Sequence, residues 1–328
     1  MKIFVTRKFP GSALDKLKAS GNEVSVSEFD RPLTPEELLE KAKGVDALLS
    51  LLTDKIDGEV VDAIGPQLKI VSNYAVGFDN IDVPALSERG IVAVNTPSDE
   101  VNEAVAEHTW ALMLSLARRI VEADEAVKRG AYSGWEPAIF LGVNLIGKTL
   151  GVIGLGRIGS MVARRAKGFN MRVLYNKRSP DPEAERELGV EFADMDKLLG
   201  ESDFVSLHIP LTDETRHLIN KDTLGKMKNG AYLINTARGP IVEEHDLVDA
   251  IRKGHLGGAA LDVFDNEPNV NPELVNMENV VLTPHIASAT WEAREKMGQM
   301  AVDAILKTLN GEKPENMVNE EVWEKRRK

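Results

Sequence analysis

The chain has 328 residues, 43% hydrophobic and 28% charged, values ordinary for a globular protein with a large core and long enough, as a soft prior, for two domains. Its formal net charge is −12 and its pI near 5.1, which argues against nucleic acid or an anionic membrane as the main partner, since both select a positive surface. It has no cysteine, which excludes disulfides, thiolate catalysis and cysteine-ligated metal.

The start, residues 1–8, reads as a first strand and not as a signal peptide. No apolar run approaches the roughly 18 residues of a membrane span, so a cytoplasmic protein is the expectation. A first series of candidate strands runs Lys2–Val5, Glu23–Val26, Ala47–Leu51, 68–72 and 91–94. Helical stretches lie between them, such as 34–42, where Thr34 caps and Glu37 stands three residues on. A second series starts at Thr149–Ile153 and continues with 172–175, Phe204–Leu207, Ala231–Asn235, 258–263 and Val280–Leu282. Strands separated by helices imply βαβ units. The expected class is therefore α/β, with two doubly wound parallel-sheet domains.

Residues 101–127 contain no Gly or Pro, and Val105, Thr109, Leu112, Leu116, Ile120 and Val127 fall near helical spacing. One long helix is expected, bridging two domains or packing on a second subunit. The final helix, Trp291–Leu309, either extends the second domain or returns to the first. The charged tail 320–328 reads as frayed or weakly docked.

Residues 149–159 read as a strand, then G-x-G-x-x-G, then a helix start. Gly154 suits a tight turn, Gly156 a close approach of backbone to a pyrophosphate, and Gly159 close helix–strand packing, with Leu155, Arg157 and Ile158 between them. The bare pattern has many false matches, but an apolar strand before it and Met161, Val162, Ala163 and Ala166 after it favour a dinucleotide site. At the end of the next strand, where an NAD-selective site places an acid, stands Asn176, followed by Lys177, Arg178 and Ser179. Asn176 does not repel a 2′-phosphate and the next three residues suit one, which favours NADP(H) over NAD(H). The bland alternative is a solvated basic turn.

Three further segments place polar groups at C-terminal strand ends, where open α/β sheets bind ligands. They are Asn235-Thr236-Ala237-Arg238-Gly239, Asp262-Val263-Phe264-Asp265-Asn266-Glu267-Pro268 and Thr283-Pro284-His285-Ile286-Ala287-Ser288. With Asn73-Tyr74-Ala75-Val76-Gly77-Phe78-Asp79-Asn80-Ile81-Asp82 and the glycine loop, this ordered set resembles the D-isomer-specific 2-hydroxyacid dehydrogenase family, above all its glyoxylate/hydroxypyruvate reductases. The resemblance runs across nearly the whole chain. It implies a discontinuous substrate domain, 1–99 with 288–328, a dinucleotide domain at 100–287 inserted into it, and a homodimer built on the dinucleotide domains.

Carried over residue by residue, the resemblance makes Arg238 the substrate-binding arginine, Glu267 the acidic partner and His285 the acid/base. The chemistry agrees. Hydride addition to a keto carbon leaves an alkoxide that needs a proton donor titrating near neutrality. A carboxylate on the far ring nitrogen fixes that histidine and favours its charged form. Arg238 can fork onto a substrate carboxylate and carbonyl, giving local positive charge inside an acidic protein. The resemblance further implies that amides around Val76 and Gly77 hold the other side of the carboxylate, and that Thr236, Ala237 and Ala287 line the cofactor.

Asp262 is a candidate acceptor for the nicotinamide carboxamide, or else a buried turn cap. His208 and Pro210 either line the cofactor groove or form a turn. His108 reads as structural or interfacial, and the loop from Trp135 to Leu141 either reaches a neighbouring subunit's active site or is an ordinary apolar loop. The six histidines show no metal-ligand spacing. Within the same fold, D-lactate, 3-phosphoglycerate and formate are the rival substrates. The rival of another class is a nicotinamide-sensing corepressor that binds partner proteins.

Overall fold

Two series of parallel strands build two sheets in the computed structural model, which describes residues 1–327. The tail expectation at Lys328 lies outside the described residues. In the first sheet β1 (Lys2–Val5), β2 (Glu23–Val26), β3 (Ala47–Leu51), β4 (Ile70–Tyr74) and β5 (Val92–Val94) lie in the order β2-β1-β3-β4-β5. The second comprises β6 (Thr149–Ile153), β7 (Arg172–Asn176), β8 (Glu191–Phe192), β9 (Phe204–Leu207), β10 (Ala231–Asn235), β11 (Leu256–Leu261) and β12 (Val280–Leu282). Its order is β12-β11-β10-β9-β6-β7-β8. The chain divides into a first unit, Met1–Val101 with Ala289–Lys328, and a second, Asn102–Ser288, inserted between its two segments.

Central strands buried on both faces explain the near-continuous apolar runs of the sequence. In the second sheet Ile153, Leu233 and Leu261 join one core cluster, while their neighbours Val152, Ile234 and Ala260 join the other, the two-residue period of a sheet covered on both sides. In the first unit, helix Pro35–Ala42 starts with the expected reciprocal cap between Thr34 and Glu37. Helix Trp291–Leu309 returns to this unit. Its Gly298, Ala301, Val302 and Ile305 are buried, and its carbonyls at Ala301 and Arg294 accept Ser72 Oγ at 3.0 Å and Tyr74 Oη at 2.8 Å.

Two expectations need correction, and a third is settled. The long helix at 101–127 is two helices, Asp99–Ala117 and Ile120–Lys128, parted at Arg119, which is left-handed at φ 52°. Such a turn costs roughly 1 kcal/mol in a residue with a Cβ. Here the terminal carbonyl of Ala117 accepts Val143 N at 2.8 Å, and Arg119 pairs with Glu122. Of the two readings of the tail, the docked one holds for its described residues. Val318 N donates to Ala93 O, Asn319 bonds Ala93 N and Ile91 O, and Val322 is fully buried. Arg327 donates to the carbonyls of Arg89 and Gly65. Finally, some strand limits move. β4 spans 70–74 because its register with β3 pairs Leu51 with Tyr74, β11 spans 256–261, and the two-residue edge strand β8 carries too short a pattern to be read.

Candidate active site

In the second unit, β6 runs into the glycine loop and then into helix Arg157–Ala166. Each glycine meets a different constraint. Gly154 is left-handed at φ 97°, and a Cβ there would lie 2.4 Å from His208 O. At Gly159 a Cβ would lie 2.0 Å from Gly154 O, so the helix packs against the turn only without one. At Gly156 a Cβ would meet nothing within 4 Å. Gly156 is also the N-cap of the helix and supplies no side chain to its first amides. Open space and uncapped helix amides suit a pyrophosphate, so these residues fit a dinucleotide. Leu155 is buried below the turn, Arg157 is exposed and Ile158 is half-buried.

Asn176 closes β7; its Nδ2 donates to Ala193 O at 2.9 Å and its carbonyl accepts Gly154 N at 2.9 Å, which ties this strand end to the glycine loop. Lys177 is paired with Asp181 at 2.8 Å. Arg178 is 90% exposed and 3.5 Å from Glu214, itself 80% exposed, so its guanidinium remains accessible, as does Ser179. His208 follows β9, with Nε2 2.8 Å from Ser206 Oγ, and burial pushes its imidazole down to about 4. Pro210 is exposed beyond it.

The polar segments after β10, β11 and β12 form one cluster. After β10, Asn235 accepts Ala237 N at 3.0 Å and donates to Arg238 O at 2.9 Å, which folds the 235–238 turn around its own side chain. Arg238 Nη1 donates to Ala237 O at 2.7 Å. The Thr236 hydroxyl is buried and shares a 2.9 Å bond with Thr109. Behind Arg238, a Cβ on Gly239 would lie 1.9 Å from Phe264 backbone, so the Arg238 loop and the Glu267 loop touch main chain to main chain. Glu267 Oε1 accepts Phe264 N at 3.0 Å, and Oε2 lies 2.8 Å from His285 Nδ1. Both side chains are about one-third accessible, at 28% for His285 and 31% for Glu267.

Asp262 organises the loop that carries His285. Its carboxylate accepts Thr283 Oγ1 at 2.6 Å, Ile286 N at 2.9 Å and Ala287 N at 2.8 Å, while its carbonyl accepts His285 N at 2.9 Å. His108 Nε2 closes the network, 3.1 Å from Thr283 Oγ1 and 3.4 Å from Asp262 Oδ1. Burial works against the charge on Asp262, but the bonds from His108, Thr283, Ile286 and Ala287 outweigh it and hold the carboxyl below the usual range. The four bonds engage most of the carboxylate's accepting capacity. His285 itself is left-handed at φ 54°, a conformation that its neighbours' bonds to Asp262 hold in place. The roles of Asn235, Thr283 and His108 in this scaffold carried no signal in the sequence beyond their places beside strand ends or on a helix.

In the first unit, Val76 and Gly77 follow β4 in a half-buried loop. Asn95 Nδ2 donates to Val76 O at 2.7 Å and Asn73 Nδ2 to Gly77 O at 3.0 Å. Among the described residues no group of three or more His, Cys, Asp or Glu is arranged to hold a metal, and no helix is long and apolar enough to cross a membrane.

A glycine turn built for a dinucleotide, with an arginine and a histidine–glutamate pair on neighbouring strand ends, defines a dinucleotide-dependent dehydrogenase. Residues 110–287 match the family described as D-isomer specific 2-hydroxyacid dehydrogenase, NAD binding domain. The chain is 48% identical over 325 residues to the glyoxylate reductase of Thermococcus onnurineus, covering 98% of this chain and 96% of that one. It also superimposes on the TT0316 protein of Thermus thermophilus, with TM-score 0.90, 44% identity and coverage of 97% and 100% of the two chains. For a glyoxylate reductase from Paecilomyes thermophila the values are 0.86, 31%, 98% and 99%. The chain belongs to the D-isomer-specific 2-hydroxyacid dehydrogenase family, whose members use a nicotinamide cofactor.

Proposed function

We propose that this protein reduces glyoxylate, with hydroxypyruvate as a second substrate, and uses NADPH in preference to NADH. The observation that carries the reading is the 2.8 Å contact between His285 and Glu267 on a loop packed against that of Arg238, in a chain so similar to a glyoxylate reductase. When bound, the nicotinamide supplies the hydride. Arg238 holds the substrate carboxylate and polarises its carbonyl. His285, with Nδ1 committed to Glu267, turns Nε2 to the substrate and gives its proton to the carbonyl oxygen; in the reverse direction it takes the proton back. Glu267, itself pinned by Phe264 N, keeps the ring in one orientation. In the first unit, the amides of Val76 and Gly77 bind carboxylate, which makes it the substrate unit, and the second unit, with its glycine loop, is the dinucleotide unit.

Preference for NADPH rests on Asn176, which puts no carboxylate at the end of β7, and on the accessible guanidinium of Arg178. A homodimer is proposed through the second unit. Helix Ile120–Lys128 has no buried residue and exposes Ile120, Val121 and Val127, with Tyr132, Trp135, Leu141 and Ile146 exposed nearby in sequence. A cytoplasmic location goes with this reading. Steady-state turnover of glyoxylate with each cofactor tests the activity, and sedimentation equilibrium tests the dimer.

A further inference from the structure

Four consecutive carbonyls in the loop after β4 each accept a hydrogen bond from this unit. Ala75 O accepts Thr96 N at 2.9 Å, Val76 O accepts Asn95 Nδ2 at 2.7 Å, Gly77 O accepts Asn73 Nδ2 at 3.0 Å, and Phe78 O accepts Ile81 N at 3.0 Å. Among the described residues, none accepts a hydrogen bond from the amides of Val76, Gly77 or Phe78. These two facts are one fact about geometry. In a trans peptide the C=O of one residue and the N–H of the next point in opposite directions. Fixing the carbonyls of Ala75, Val76 and Gly77 on these donors therefore turns the N–H groups of Val76, Gly77 and Phe78 away from them. Backbone donors are seldom left without a partner, so these three need water or an anion.

Two of the three fixing donors are side chains, and each is held from behind. Asn73 is fully buried; its Oδ1 lies 3.2 Å from Ser50 Oγ and its Nδ2 3.0 Å from Asn80 Oδ1, while Asn80 donates to Asp54 O at 2.8 Å. Asn95 is gripped by the docked C-terminal segment: its N–H donates to Asn316 O at 3.3 Å and its carbonyl accepts Asn316 Nδ2.

We infer that Asn95 and Asn73 are positioning residues that aim a three-amide cradle, Val76, Gly77 and Phe78, at the substrate carboxylate, with Asn316 bracing Asn95. The inference rests on the reading that this loop takes the carboxylate, and adds to it the third donor and the side chains that set its direction. Neither asparagine touches substrate. Losing Asn95 frees the 76–77 peptide to rotate, which presents a carbonyl where the anion needs an N–H.

The test uses the full-length protein with glyoxylate and, as a neutral probe, its methyl ester. Asn95→Ala and Asn95→Asp are expected to raise KM for glyoxylate about tenfold or more, the scale of a hydrogen bond to a charged group. The same variants should leave kcat within about threefold, leave KM for the ester unchanged and leave NADPH affinity unaltered. Asn95→Ser, which restores a donor, should fall between them and the wild type. If the first two variants fail to fold, Asn95→Ser and Asn316→Ala carry the test, each with a smaller rise confined to glyoxylate. An unchanged KM for glyoxylate, or a loss of kcat equal for acid and ester, overturns the inference. If the wild type itself does not prefer glyoxylate to the ester, the carboxylate reading fails instead.

Discussion

Nδ1 of His285 lies 2.8 Å from Oε2 of Glu267, and the other oxygen of that carboxylate takes the amide of Phe264 at 3.0 Å. One ring nitrogen is thereby occupied and the other left for chemistry. His285→Ala removes the proton donor and is expected to lower kcat by about 100-fold or more while the affinity for NADPH persists. Rapid-mixing and steady-state rates check this, and a near-normal kcat would remove His285 from the mechanism.

Gly156 and Gly159 sit three residues apart and should respond in opposite ways. At Gly159 an added Cβ meets Gly154 O at 2.0 Å, so Gly159→Ala should lower the Tm of the free protein. At Gly156 the same Cβ meets nothing within 4 Å, so Gly156→Ala should keep its Tm and lose dinucleotide affinity. Thermal melts with cofactor titration separate the two; equal Tm losses would contradict the assignment of Gly156 to the ligand.

Arg178 is 90% exposed beside Glu214. Arg178→Ala should weaken NADPH about tenfold and NADH little, since only the former carries a 2′-phosphate. An equal effect on both would undercut the proposed preference.

Burial holds His208 at about 4, below its ordinary 6.5. As pH falls, the unfolded chain takes up this proton first. The stability contributed is therefore complete above about 6.5 and drains away as pH drops toward 4. Melting temperature against pH should show this slope in the wild type and a flatter one in His208→Gln; identical slopes would refute it.

Much of this is legible in the sequence because the informative patterns are local. Strands such as Thr149–Ile153 and Phe204–Leu207 are short apolar runs with turn residues beside them, and the glycine loop states its own geometry. What escapes depends on distant partners. Arg119 breaks a sequence with no Gly or Pro because Val143, from a later loop, takes the carbonyl of Ala117. The charged tail from 320 on reads as frayed or weakly docked, and what anchors it is distant: Arg327 finds a backbone carbonyl 238 residues earlier. Asp262 reads as a cofactor residue or a buried turn cap, and its bonds to Thr283, Ile286 and Ala287 fit the cap, though which amides it takes depends on how the next strand lies beside its own. Asn73 enters the sequence reading only as part of the segment that carries the resemblance, and nothing local singles out Asn95.

The central claim is hydride transfer to a small 2-keto acid, and its most direct test is initial rates for glyoxylate, hydroxypyruvate, pyruvate and phenylpyruvate, each with NADPH and NADH. The account predicts that glyoxylate with NADPH gives the highest kcat/KM and hydroxypyruvate the next. Oxidation of neither cofactor by any of the four acids would contradict it.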